Sequence, residues 1–236
     1  MTRICINDTI FETHPGFYRA VLIVRDAKNR TADPALNGAL SAIASERVGV
    51  DVNGLPAVRA WDAAHIKCGS NPNKYPPSAK ALLKRISAGH TIPFINSAVA
   101  LFNFISIKHA LPCGGDDLAK ITGDLVLGIS DGSEMFAPIS QPDKPEHPER
   151  GEVIYFDRGS KQVMCRRWNW RNGDLTKLQL STRDMVINID CIPPIPKDVA
   201  NLAQHELATL LVSHCNARVA VDFLDSTRRA IPLIES

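Results

Sequence analysis

The chain has 236 residues, of which 44% are hydrophobic and 22% are charged, and these proportions exclude a disordered or fibrous protein. Its 27 Lys and Arg residues nearly balance its 25 Asp and Glu residues. Any contact with nucleic acid must therefore be local rather than spread over the surface. The six cysteines form no CxxC pair and are expected to be free thiols. No signal peptide and no apolar run of roughly 18 residues is present, so we expect a cytoplasmic protein that does not contact membranes.

The first half of the chain predicts one strand followed by four helices. The β-branched run FYRAVLIVRD at 17–26 is typical of a strand. Helices are predicted at about 34–47 and 56–67, then over SAKALLKRIS with Ser78 as its N-cap, and finally over 97–110. A proline-rich loop at 70–77 separates the second helix from the third.

The helix predicted at 97–110 is apolar apart from a few polar positions. Two of these, Asn103 and Ser106, are three residues apart and so lie on one side of the helix. They either satisfy buried polar groups, as buried polar side chains generally do, or form the wall of a binding pocket.

The second half of the chain is rich in predicted strands. The segments DLVLGIS, GEVIYFD, KQVMCRRWNW and DMVINID alternate with turn signals such as Asp131-Gly132 and Asn172-Gly173. The proline-rich segment 137–150 is interpreted as an exposed loop. A final helix is predicted at about 197–215, with four leucines as its apolar side: Leu202, Leu207, Leu210 and Leu211.

The common active-site motifs are absent from the sequence. It contains no GxGxxG, Walker, HExxH or GxSxG pattern, which removes the commonest dehydrogenase, NTPase, metalloprotease and lipase interpretations. The seven histidines include no pair at i, i+4 that would place two ligands on one helix face. We therefore expect neither a metal site nor a cofactor.

The segment CRRWNWRNGD at 165–174 concentrates arginine and tryptophan. In a strand, successive side chains would face opposite ways. The two predicted sets are Arg167, Asn169 and Arg171 on one side, and Arg166, Trp168 and Trp170 on the other. Arginine beside an aromatic face suits a phosphate, a carboxylate or a stacked base. Alternatively, the tryptophans anchor the core while the arginines pair with Asp157 or Asp174.

The segment CGGDDL at 113–118 is a second place where a ligand could bind. Gly114 and Gly115 would allow a ligand to approach the backbone closely. The carboxylates of Asp116 and Asp117 could bind an ammonium group, or at least one of them could cap a short helix over DDLAKIT.

Three segments together resemble a known family. YPPSAKALL, LFNFISI leading into LPCGGDDL, and GEVIYFD leading into CRRWNW are similar to a stand-alone B3/4 domain, the editing domain of the bacterial phenylalanyl-tRNA synthetase beta subunit. The resemblance is strongest over 70–192, preceded by an α/β segment at 1–69, and it implies that 1–236 is a single B3/4-type domain. It also implies an α+β fold with a β-sandwich-like core of mixed sheets, flanked by helices, and a pocket between the halves.

The resemblance implies an activity as well as a fold. In the synthetase, the pocket receives the 3′ end of misacylated tRNA and hydrolyses the ester that links tyrosine to it. A free-standing domain is expected to hydrolyse misacylated tRNA in trans, with tyrosyl-tRNA specific for phenylalanine as the first substrate to test, and cannot act as a complete aminoacyl-tRNA ligase. Its partners would be aminoacyl-tRNA or its 3′ end and an amino acid, not DNA. The alternative is a non-catalytic binding module for an amino acid, an aminoacyl-RNA end or a small carboxylate.

The carry-over of individual residues from the family is incomplete. Where the synthetase has a histidine after the proline that ends the buried helix, this chain has Cys113, Gly114 and Gly115, and the region of a later family glutamate holds Asn172 and Gly173. Ala100 likewise stands where relatives commonly carry an acidic residue, whereas Thr182 matches a pocket threonine. We therefore assign the catalytic role to Asp116 and Asp117. The expected substrate-binding residues are Asn103, Ser106, Gly114, Gly115, Arg166, Arg167, Trp168, Asn169 and Thr182.

Overall fold

The computed structural model describes residues 2–233, which contain ten strands and six α-helices. The first half contains β1 Arg3–Ile6, α1 Asp8–Thr13, β2 Tyr18–Arg25, α2 Pro34–Ser45, α3 Pro56–Lys67, α4 Ser78–Ser87 and α5 Ser97–His109. The second half contains β3 Cys113–Asp117, β4 Leu125–Ile129, β5 Val153–Asp157, β6 Gln162–Arg166, β7 Arg171–Asn172, β8 Met185–Cys191, α6 Lys197–Cys215, β9 Arg218–Leu224 and β10 Ala230–Pro232.

The strands form two sheets. The large sheet has six strands in the order β10-β1-β4-β5-β6-β7, and the small sheet has four in the order β3-β8-β2-β9. Only the β1–β4 pair is parallel among the strand pairs of the described residues. The resulting mixed α+β architecture confirms the predicted fold class.

Strand β2 shows how the layers are stacked, because it is buried on both faces. Ala20 and Leu22 pack into a core shared with helices α2, α5 and α6, whereas Val21 and Ile23 pack into a core shared with β1, β4, β5 and β6 of the large sheet. The small sheet therefore lies between the helices and the large sheet. This double burial explains why residues 20–24 are all apolar, since alternation of polar and apolar residues is expected only where one face meets water.

Most helix predictions agree with the structure, and the exceptions have local causes. Helices α3, α5 and α6 fall where they were predicted, but Ser78 is the first residue of α4 and the N-cap is Pro77. The backbone N–H of Ser78 donates instead to the carbonyl of Asn169 at 2.9 Å.

The buried face of α6 differs in part from the predicted one. Leu207 and Leu211 are buried and Leu210 is partly buried. Leu202 is 63% exposed, because Ala200 and Ala203 form the buried face in the first turns of the helix.

No helix in residues 2–233 is both long enough and apolar enough to cross a membrane.

Candidate functional site: a cavity between the two sheets

A cavity of about 310 Å³ lies between the two sheets. This volume is at the lower end of the range typical of small-molecule sites. Strands β2, β3 and β8 of the small sheet form one wall, strands β5 and β6 and the turn after β6 form another, and α4 and α5 contribute at the mouth. Its polar lining residues include Arg19, Ser78, Asn103, Asp116, Tyr155, Asn169, Asn188 and Asp190.

The alternation of strand β3 places one carboxylate in the cavity and its neighbour outside it. Gly114 pairs with Asn188 on β8, and both residues line the cavity, as does Asp116. Asp117 points to the opposite face, where its side chain accepts from the N–H of Ala119 and caps a short 3-10 helix. The prediction that at least one of the two aspartates is a cap is therefore confirmed for Asp117.

Asp116 is a buried carboxylate that titrates close to neutral pH. It is 7% exposed, and its Oδ1 accepts a hydrogen bond of 2.6 Å from the hydroxyl of Thr176. Burial raises the pKa of Asp116 to about 6, with a further increase from the Asp117 charge, although Thr176 and the Arg19 guanidinium act in the opposite direction. A carboxylate with such a pKa can exchange a proton with a ligand near pH 6 to 7.

Arg19 and Asp190 form a buried ion pair in the wall of the small sheet. The Nε and Nη2 atoms of Arg19 donate to the two carboxylate oxygens of Asp190 at 2.7 and 3.0 Å. The Cζ atom of Arg19 lies 4.8 Å from the ring centroid of Tyr155 on the large sheet. The Nη1 atom has no hydrogen-bond partner within the described part of the chain. A rigid guanidinium with an unpaired N–H group is suited to an oxygen atom of a ligand.

The opposite wall is a tight turn, not the continuation of a strand. Strand β6 ends at Arg166, and the predicted alternation of side chains through Trp170 is wrong. Arg167 and Trp168 have φ angles of 45° and 68°, a left-handed conformation that is unusual for large side chains. The turn is held by two backbone hydrogen bonds, from Trp168 N to the Val153 carbonyl and from Trp170 N to the Arg166 carbonyl. Its residues therefore leave the sheet plane and close one side of the cavity.

The arginines at the start of this turn are buried in ion pairs with glutamates. Arg166 donates from Nη2 to Glu152 Oε2 at 2.6 Å, and Arg167 donates from Nη2 to Glu149 Oε1 at 2.8 Å. Both arginines are 7% exposed, and neither lines the cavity. The predicted pairing with Asp157 or Asp174 is wrong. Asp157 instead accepts from Thr122, Gly159 and Ser160, and Asp174 pairs with Lys177.

Trp168 anchors the turn in the core. It is 2% exposed, and its ring centroid lies 5.1 Å from that of Phe17 and 5.3 Å from that of Trp61, both in edge-to-face geometry. The next residue, Asn169, has its Oδ1 3.1 Å from His65 Nε2, while its Nδ2 has no partner among the described residues. Trp168 and Asn169 both border the cavity.

The expected site residues thus fall into two groups. Those that line the cavity are Asn103, Gly114, Gly115, Asp116, Trp168 and Asn169. Those that do not line it are Ser106, Asp117, Arg166, Arg167 and Thr182. Thr182 is buried behind the small sheet, where its hydroxyl donates to Asp117 at 2.6 Å.

Sequence reasoning missed Arg19, Tyr155, Asn188 and Asp190. The only signal was a charged or polar residue inside an apolar run, as with the arginine in FYRAVLIVRD and the asparagine and aspartate in DMVINID. Cys113 and Cys165 also line the cavity, but burial raises the pKa of both thiols, so they are not the thiolates that a cysteine nucleophile requires.

The chain is similar to known proteins both in its sequence pattern and in its structure. One similar solved structure is an N-terminal fragment of the phenylalanyl-tRNA synthetase beta subunit from Pyrococcus horikoshii, with 10% identity and a TM-score of 0.49. The match covers 91% of this chain and 49% of that one, so the chain spans about half the length of that fragment. No curated protein matches the chain. The sequence pattern of the B3/4 domain matches residues 60–216, which is more than half of the 236 residues. The chain therefore belongs to the B3/4 domain family.

Proposed function

We propose that this protein, acting as a single B3/4-type domain, binds the aminoacylated 3′ end of tRNA and hydrolyses a mismatched aminoacyl ester in trans. The observation that carries the proposal is the position of Asp116. It is a carboxylate whose pKa burial raises to about 6, and it lines a cavity of about 310 Å³ that is open at its mouth. Such a group can act as a general base at physiological pH, while the cavity has the size of an amino acid and its ester linkage.

The reaction assigned to this site is the hydrolysis of an ester by water. The Asp116 carboxylate accepts a proton from a water molecule as the water oxygen attacks the ester carbonyl. The tetrahedral intermediate then breaks its bond to the ribose oxygen of the terminal nucleotide. That oxygen takes the proton back from Asp116, and the products are the free amino acid and the deacylated tRNA.

Arg19 is suited to stabilise the charge that develops in this reaction. Asp190 fixes its guanidinium through Nε and Nη2, which leaves Nη1 without a partner among the described residues. A donor that is already fixed in the cavity wall needs no reorganisation during the reaction. Asn169 and Asn188 add amide groups to the cavity wall that can discriminate amino-acid side chains by hydrogen bonding.

The test is a deacylation assay with the purified protein and a panel of radiolabelled aminoacyl-tRNAs, beginning with tyrosyl-tRNA specific for phenylalanine. We expect loss of label above the spontaneous rate for at least one mismatched pair. The variant Asp116→Asn should lower the rate by about 10²- to 10⁴-fold, because the amide cannot accept the proton. Asp117→Asn is the matched control, since Asp117 lies next in the chain but does not line the cavity.

Two outcomes would contradict parts of this proposal. Full activity in Asp116→Asn would remove the assigned base. The absence of hydrolysis for every pair with the wild-type protein would instead favour a module that binds an amino acid, an aminoacyl-RNA end or a small carboxylate without cleaving it. One observation favours that second function, namely that the described residues lining the cavity include no histidine. Calorimetric titration with free amino acids would then identify the ligand.

A further inference from the structure

The cavity opens into a second depression, which we call the α4 groove. It has a volume of about 640 Å³ and shares four lining residues with the cavity: Ser78, Asn103, Cys113 and Trp170. The groove therefore lies directly beside the cavity.

The charges of the two spaces differ in kind. The cavity is mixed in charge, because it contains the carboxylates of Asp116 and Asp190 together with Arg171 and with Arg19, which is paired with Asp190. The described residues that line the groove include no carboxylate, whereas Lys84, Arg85 and His90 provide basic side chains. An aminoacylated RNA end has the same polarity, with an ammonium group on the amino acid and negative phosphates behind it.

Helix α4 presents its basic residues in a way that suits a polyanion. Ala81, Lys84, Arg85 and Ala88 all line the groove and follow the i, i+3, i+4, i+7 spacing of one helix face. Lys84 and Arg85 are exposed, and neither forms an ion pair with a carboxylate within residues 2–233. The Nε of Arg85 donates to the carbonyl of Thr91 at 3.0 Å, which orients the guanidinium and leaves its other nitrogens available.

Trp170 stands where the cavity meets the groove. It is half-buried, and its ring packs edge-to-face against Tyr75 with centroids 4.7 Å apart. An aromatic side chain fixed by a second ring provides a surface on which a nucleobase can stack.

We infer that the α4 groove is the path of single-stranded RNA into the cavity, with the phosphates on Lys84 and Arg85 and the terminal base against Trp170. The inference rests on the proposed function for the identity of the ligand. The inferred RNA contact also differs from the one that the sequence predicts. Arg166 and Arg167 of the 165–174 segment, which the sequence favours, are paired with glutamates, so the basic residues of α4 take that role instead.

The test is the binding of an unacylated, fluorescently labelled RNA hairpin with a four-nucleotide single-stranded 3′ end, measured by anisotropy as a function of salt concentration. The variant Lys84→Glu/Arg85→Glu should bind at least tenfold more weakly at low salt. The slope of log K against log salt should fall by about 1.4, or about 0.7 for each lost phosphate contact.

The matched control is Arg59→Glu/Lys120→Glu. Both residues are exposed, and neither lines the cavity or the groove. Like Arg85, Arg59 lies on a helix and donates from Nε to a backbone carbonyl. Each double variant lowers the formal net charge by four, from +2 to −2, so a general effect of charge would weaken binding equally in both. Equal losses in the two variants, unchanged affinity in Lys84→Glu/Arg85→Glu, or no binding by the wild-type protein would each overturn the inference.

The stacking position is tested separately. Trp170→Ala should weaken binding of this hairpin by about 5- to 150-fold, while Trp170→Phe should retain most of the affinity and a blunt-ended hairpin should be insensitive to either change. Unchanged affinity in Trp170→Ala would remove the stacking contact.

Because the RNA carries no amino acid, these results do not depend on hydrolysis. RNA binding in the groove without deacylation would refute only the proposed hydrolytic activity. Deacylation with unchanged kcat/KM in Lys84→Glu/Arg85→Glu would refute only the groove.

Discussion

Replacing Asp116 by asparagine should make the protein more stable at pH 8 while it removes the proposed base. Burial raises the pKa of Asp116 from 3.8 to about 6. The native state therefore binds this proton more tightly than the unfolded chain, and the charged carboxylate lowers the free energy of unfolding above pH 6 by about 3 kcal/mol. Asparagine is close in shape and carries no charge, and its Oδ1 can still accept the hydrogen bond from Thr176.

The sign and size of the effect depend on pH in a defined way. At pH 4 the native carboxyl is protonated while the unfolded one is still about half ionised, so the contribution is about 0.5 kcal/mol, and it approaches zero below about pH 3, where both states are protonated. As the pH rises from 4 to 6, stability is lost as the unfolded chain releases the proton while the native state retains it. The difference in unfolding free energy between Asp116→Asn and the wild-type protein should therefore grow by about 2 to 2.5 kcal/mol between pH 4 and pH 8.

Urea unfolding of both proteins at pH 4, 6 and 8 measures this difference directly. At pH 8 the melting temperature of the variant should be higher, by about 2 to 4 °C per kcal/mol for a chain of this size. A variant that is less stable than the wild type at pH 8, or a difference that does not change with pH, would refute the assignment of a raised pKa to Asp116.

Two further predictions concern the turn after β6 and are tested by chemical denaturation. Trp168→Ala should lower the free energy of unfolding by about 3 to 5 kcal/mol because it leaves a cavity at the centre of an aromatic cluster. Trp170 is only half-buried, so Trp170→Ala should lower this free energy much less. Equal losses in the two variants would contradict the assignment of separate roles. Glu152→Gln should cost about 3 kcal/mol or more because Glu152 is the buried carboxylate that faces both arginines, and only the more exposed Glu146 and Glu149 then remain as their counter-charges. The control Glu149→Gln removes the charge of a side chain that is 72% exposed and should cost less than about 1 kcal/mol. A larger loss there than at Glu152 would show that burial does not decide the outcome.

Glu152 also makes the stability of this part of the fold depend on pH. Although burial raises its pKa, the hydrogen bond and charge of Arg166 hold the pKa of the carboxyl below its ordinary value. The stabilising contribution of the ion pair is therefore present at neutral pH and is lost as the pH falls through the lowered pKa.

The sequence predicted the helices and the central strands well because their signals are local. The helix at Pro56–Lys67 begins with a proline in its first turn, and the strand Tyr18–Arg25 contains five successive apolar residues at 20–24, as expected of a strand that is buried on both faces. The cavity residues Asn103 and Asp116 could also be predicted. Asn103 is a polar residue in an otherwise apolar helix, and Asp116 follows two glycines.

The turn at Arg167 and Trp168 could not be predicted from local patterns. A left-handed conformation is rare for arginine or tryptophan, and here it is maintained by distant groups. The N–H of Arg167 donates to Glu152, and the ring of Trp168 packs against Phe17 and Trp61. The same tertiary contacts determine which glutamates neutralise the arginines. Spacing along the chain favoured Asp157 and Asp174. It does not show that the loop before β5 brings its glutamates against the arginines.

The same turn divides the cavity wall into positions that can vary and positions that cannot. Trp170, Arg171 and Asn172 border the cavity with side chains that are only partly buried or exposed, whereas Arg167 and Trp168 hold the backbone in place from within the core. In a randomised library selected for a new ligand preference, viable clones should accumulate changes at 170–172 and retain the parental residues at 167 and 168. Residues 170–172 can thus be exchanged for other sequences as long as Arg167 and Trp168 keep their contacts with Glu152, Phe17 and Trp61.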